Sequence, residues 1–128
     1  MSYYFNKVVD MSFDEALERV TEELKKEGFG ILTDIDVAAT LKKKIDVDFR
    51  RYRILGACNP SFAHKALLAE DKIGTMLPCS VVVQELEEGG VEVAAVNPVA
   101  SMQAIENKSL GETAMTVQNK LKQVIKNL

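Results

Sequence analysis

The run Cys79-Ser80-Val81-Val82-Val83-Gln84-Glu85-Leu86, then the turn at Glu88-Gly89-Gly90, then Val91-Glu92-Val93-Ala94-Ala95-Val96, decides the fold class. β-Branched residues dominate both halves, and two glycines supply the backbone freedom that a tight reversal needs. The pattern predicts a hairpin that ends at Asn97-Pro98, because proline has no amide to donate to a strand ladder. Val81, Val83, Val91 and Val93 would share one apolar face, and such a face needs cover, from helices or from a second copy of the chain.

Working outward, residues 3–9 are aromatic and β-branched and read as a first strand. Ser12-Phe13-Asp14-Glu15 has the form of a capping box. The helix after it places Phe13, Ala16, Leu17, Val20 and Leu24 on one stripe, and Gly28 stops it. Residues 30–37 read as a second strand, and Asp36 is placed to cap a short helix through Ala38, Leu41 and Ile45. Residues 51–58 form a third strand, with Tyr52 and Ile54 on one face and Arg53, Leu55 and Ala57 on the other. Asn59 as cap and Pro60 at the first helical position predict a helix reaching about Asp71. Gly74 to Pro78 is expected as a loop, and residues 99–105 fit either a helical turn or an extended link. Ser109-Leu110-Gly111-Glu112 resembles a second capping box and opens a final helix carrying Leu110, Ala114, Val117, Leu121, Val124 and Leu128. A hairpin set among helices gives the expectation of one α+β domain over 1–128, with a mostly antiparallel sheet and the two long helices side by side on one face.

The bulk chemistry narrows the function classes. Hydrophobic residues make up 47% and charged residues 27% of the 128, an ordinary globular mixture. The net charge of −3 gives no electrostatic reason to expect a nucleic-acid partner, and Asp46 and Asp48 follow at once on the lysines at 42–44. No run approaches the roughly 18 apolar residues of a membrane span, and residues 1–11 lack the apolar core of a secretion signal. A soluble cytoplasmic protein with no membrane partner is expected. Two cysteines in such a chain read as reduced thiols rather than a disulfide framework. Nucleophile elbows, phosphate-binding glycine loops and H-E-x-x-H are all missing from the sequence.

Both cysteines and the single histidine fall between Tyr52 and Val83. Cys58 ends a strand one residue before a helix cap, where backbone amides and the helix dipole favour a thiolate. Cys79 begins a strand after Leu77-Pro78. His64 lies one turn past Pro60, so its ring can face back towards Cys58. Two thiols and an imidazole suit zinc or another soft metal such as copper(I), with Met76 or Met102 able to add a thioether. The leading expectation is a non-enzymatic homodimeric binding module, with Cys58, Asn59, His64 and Cys79 forming a pocket for a metal ion or a small anionic ligand. Cys58, His64 and Cys79 would be the metal ligands. Two alternatives stand beside it: a thiol-based redox enzyme or sensor using Cys58 and Cys79, and a purely structural homodimer.

Leu55-Gly56-Ala57-Cys58-Asn59-Pro60, with Ala63 and Leu67 after it and then Leu77-Pro78-Cys79 and Val83, resembles domain-of-unknown-function family 302, small proteins of bacteria and archaea. The likeness extends from the opening strand through Ser12-Phe13-Asp14-Glu15-Ala16 and Asp34-Ile35-Asp36 to the final helix. It implies a single α+β domain with a curved antiparallel sheet in a TATA-binding-protein-like arrangement, often as a homodimer, and it implies no activity or catalytic residue. Asn97-Pro98 stands where the resemblance leads one to expect Asp-Pro.

Overall fold

The computed structural model describes residues 2–128. Among them are the strands β1 (Tyr4–Val9), β2 (Gly30–Asp36), β3 (Tyr52–Cys58), β4 (Cys79–Glu85) and β5 (Val91–Val96), and the helices α1 (Phe13–Lys26), α2 (Val37–Ile45), α3 (Pro60–Ala69), α4 (Pro98–Ser101) and α5 (Lys108–Lys126). The strands form one sheet in the order β1-β5-β4-β3-β2, and every neighbouring pair is antiparallel. The α+β class expected from the hairpin is the class observed.

Local chemistry sets the element ends. The Ser12 hydroxyl accepts from the Glu15 amide at 3.1 Å and opens α1, while Gly28, at φ +86°, turns the chain out of it. Asp36 caps α2 by accepting from the Ala39 amide at 3.0 Å, and the left-handed Asp46 closes it. Two ends differ from expectation. The final helix is capped by Asn107, whose side chain accepts from the Ser109 amide at 3.0 Å, so the Ser109–Glu112 box is not the cap. A 3₁₀ turn, Asp71–Met76, runs into the stretch Gly74 to Pro78 that was expected as a loop.

Val81, Val83 and Val93 are fully buried and Val91 nearly so, because α1 and α5 cover that face of the sheet. The apolar face that was expected to need a partner therefore has one inside the chain. Their strand neighbours point to the open face, where Arg50 Nε donates to Gln84 Oε1, Gln84 Nε2 donates to Glu92 Oε1 and Asn6 Nδ2 donates to Glu92 Oε2, each at 2.9 Å. That chain of hydrogen bonds runs across three strands, one link per strand. Cations hold the far end of α5: Lys7 Nζ donates to the carbonyls of Lys126, at 3.3 Å, and Leu128, and Arg19 Nη2 donates to the Asn127 carbonyl at 3.0 Å.

Helix α2 is different in kind. It buries none of its side chains, and Leu32, Ile35, Ile45, Val47 and Phe49 around it are exposed. The core is divided as well. A large cluster fills the space between the sheet and α1 and α5, while Ala66, Ile73 and Leu110 form a second, with Leu77, Met102 and Ile105 packed against it.

Candidate functional site

The two clusters do not meet completely, and the gap between them is a pocket of about 270 Å³. Phe29, Ala57 and Val117 line it from the large cluster, and Ala66, Leu77 and Met102 from the small one. Cys58, Asn59 and Cys79 are also in its wall.

Backbone pairing explains why both thiols are there. Cys79 opens β4 directly opposite Ala57 on β3, so Cys58 lies one residue past the partner of Cys79, at the same end of the sheet. Gly56 makes room for the turn into β4. A Cβ at that position would lie 2.1 Å from Thr33 Oγ1 and 2.7 Å from Pro78 Cγ, so the ring that delivers the chain into Cys79 occupies the space a side chain would need. Cys79 is buried and Cys58 half-buried. Burial pushes the Cys79 thiol up to about 11, and the neighbouring Cys58 adds to the rise. Cys79 is thus a protonated thiol at neutral pH.

Asn59 occupies the cap position of α3 without capping it. Its Nδ2 instead donates to the Glu27 carbonyl at 3.4 Å, tying the start of α3 to the end of α1. Gly28 leaves room for this reach, since a Cβ there would lie 2.9 Å from Asn59 Nδ2.

His64 does not join the thiols. Phe62, Ala63, Ala66 and Leu67 supply the pocket-facing stripe of α3, while His64 is exposed and outside the pocket wall. A helix turns about 100° per residue, so the position after Ala63 leaves that stripe. Among the described residues no group of three His, Cys, Asp or Glu side chains is placed to hold a metal ion. The set Cys58, His64 and Cys79 is accordingly not assembled as three ligands. Nor does any lysine, arginine or histidine line the pocket, so a small anion finds no counter-charge there. The polar groups of the wall are the half-buried Asn59 and Thr113 and the thiols.

The sequence reading missed the apolar body of the site. Its signal was present in Ala57, Ala63, Ala66 and Ala114: small residues at inward positions leave volume unless larger neighbours fill it. Asn97, beside the pocket residue Pro98, has a structural part. Its Oδ1 accepts from the amides of Val99 and Ala100 at 3.1 and 3.4 Å and from Gln118 Nε2 at 3.0 Å, and its Nδ2 donates to the Ser2 carbonyl at 3.1 Å.

Comparison with known proteins now bears on this arrangement. The family model described as "Domain of unknown function DUF302" matches residues 5–128. The chain belongs to the DUF302 family. A crystal structure of an uncharacterized conserved DUF302 protein from Bacillus stearothermophilus is similar to it with a TM-score of 0.91 and 28% identity, over 98% of each chain. A comparison with curated proteins finds no match. DUF302 membership agrees with the resemblance carried by the two cysteine motifs, and like that resemblance it names no activity. No helix among the described residues is long and apolar enough to cross a membrane.

Proposed function

We propose that this DUF302 protein is a non-enzymatic binding module that takes a small, uncharged, largely apolar molecule into the pocket between its two core clusters. The observation that carries this reading is an apolar cavity of about 270 Å³ left open between well-packed elements. An apolar cavity of roughly 150 Å³ is enough to bind benzene, so this one has room for a molecule on the order of ten heavy atoms. Asn59 and Thr113 supply the few polar contacts that orient a ligand in such a site. Titration with indole, followed by the methyl NMR signals of Val117 and Leu77, tests it. Saturable shifts are expected in the native chain, with affinity at least about tenfold weaker in Ala66→Phe, whose ring fills the cavity. Indole shifts that never saturate, or that survive Ala66→Phe unchanged, reject the reading.

A homodimer is the second part of the proposal, supported by the arm from Leu32 to Phe49 rather than by the sheet valines. Leu32 and Ile45 are 67% and 63% exposed, and the apolar residues of α2 itself are at most half-buried, which leaves apolar surface for a partner. The charges of the same arm are paired within the chain, Lys42 with Asp46 and Asp48 and Arg53 with Asp34 and Asp36, so the apolar residues rather than the charges carry this part of the proposal. Light scattering is expected to give twice the 14.2 kDa chain mass, and the double change Ile45→Asp, Phe49→Asp the single mass. A native chain that stays monomeric at about 100 μM, well above the roughly micromolar dissociation constants of modest interfaces, rejects it. In the thiol-exchange alternative, Cys58 would be the attacking group, since Cys79 holds its proton to about pH 11.

A further inference from the structure

We propose that the pocket also holds a monovalent soft cation, copper(I), on sulfur alone: the thiols of Cys58 and Cys79 and the thioether of Met102. This rests on the three sulfur-bearing side chains that share the wall of one pocket rather than on the pocket's volume, and so stands apart from the apolar-ligand reading. The chain has two cysteines and five methionines, and both cysteines and one methionine lie in the wall of one pocket. Cys58 and Cys79 belong to neighbouring strands, offset by one residue at the same sheet end. Cys79 is only 8% exposed, so its thiol is directed into the protein at that wall rather than into water. Met102 packs against the same small cluster as Leu77, two residues before Cys79, and its unbranched side chain with three rotatable bonds can adjust its reach.

The donor set chooses the ion. Zinc in a structural site wants four nitrogen, sulfur or oxygen ligands, and no third His, Cys, Asp or Glu joins the two thiols among the described residues. Hard cations want oxygen ligands, and the carbon-rich wall offers none in number. Thiolate and thioether sulfur select copper(I). On binding, two S–H bonds break, two copper–sulfur bonds form, and two protons leave to solvent. The thioether donates a lone pair without a proton, and no atom changes oxidation state.

The test is an anaerobic titration of the reduced full chain with copper(I) in competition with bathocuproine disulfonate, with native mass spectrometry for stoichiometry. One copper(I) per chain is expected. Cys58→Ser and Cys79→Ala should each weaken it by a hundredfold or more, Met102→Leu by about tenfold, in line with the loss of a single ligand contact. His64→Gln should leave it unchanged. Silver(I) titration of the native chain supplies a readout that needs no variant to fold: the Met102 methyl resonance is expected to shift in step with the first equivalent. No copper retained against the chelator, copper retained equally by both cysteine variants, or a Met102 methyl that ignores silver(I) overturns the proposal. Indole binding persisting in Cys58→Ser would show that the apolar site stands whichever way the metal experiment falls.

Discussion

Replacing Gly56 by alanine is expected to cost about 3 kcal/mol or more, at the upper end for overpacking a closed site, and to lower the urea midpoint accordingly. The added methyl meets two neighbours of different stiffness. Thr33 Oγ1, 2.1 Å away, sits on a side chain that can rotate. Pro78 Cγ, 2.7 Å away, sits on a rigid ring, and the residue after it is locked in register with Ala57. The ring cannot retreat without dragging the start of β4 with it. The double variant Gly56→Ala, Thr33→Ala therefore recovers less than half of the loss. A single-variant loss below about 1 kcal/mol would mean that β4 yields easily and that Gly56 does not set how closely Pro78 packs on β3.

Asn97→Ala is expected to cost about 2–4 kcal/mol, from loss of a helix cap and from the polar partners left behind. Asn97 is 3% exposed and joins the start of α4, the amide of Gln118 on α5, and the backbone of Ser2. Truncation strands the Gln118 amide in a buried site. Asn97→Asp keeps every bond in which residue 97 accepts and loses only its donation to the Ser2 carbonyl, so its loss should be clearly the smaller of the two. Chemical denaturation of both variants checks this, and an aspartate variant as unstable as the alanine one would contradict the account. The Asp-Pro expected from the resemblance is thus a conservative neighbour of Asn97-Pro98, in a place that organises backbone rather than chemistry.

Signals confined to a few adjacent residues were the readable ones. Ser12, Gly28 and Asp36 act within one helical turn of themselves, and each does what its local chemistry predicts. The placement of Cys58 and Cys79 at one sheet end was also accessible, because each sits at the boundary of a strand with a strong stop or start signal. What could not be read depended on which face a helix covers. Alternation shows that Val81, Val83, Val91 and Val93 share a face, but not that α1 and α5 close over it. His64 failed for a related reason: α3 is apolar on much of its surface, so its pattern did not say that Ala63 and Ala66, rather than His64, turn inward. The pocket was hidden because its walls come from β3, α3, the chain before β4, and α5, and no local pattern spans that distance.

The anchoring of α5 is lopsided. Its last turns are gripped by Lys7 and Arg19, and Lys120 lies 3.8 Å from Glu27 at the end of α1, whereas its start is held by Leu110 in the small cluster and by the Asn107 cap, whose Nδ2 donates to the Ala69 carbonyl at 2.8 Å. The two ends of α5 are therefore held by different chemistry, cations on carbonyl oxygens at one and a neutral amide with apolar packing at the other, so added salt is expected to loosen the first more than the second.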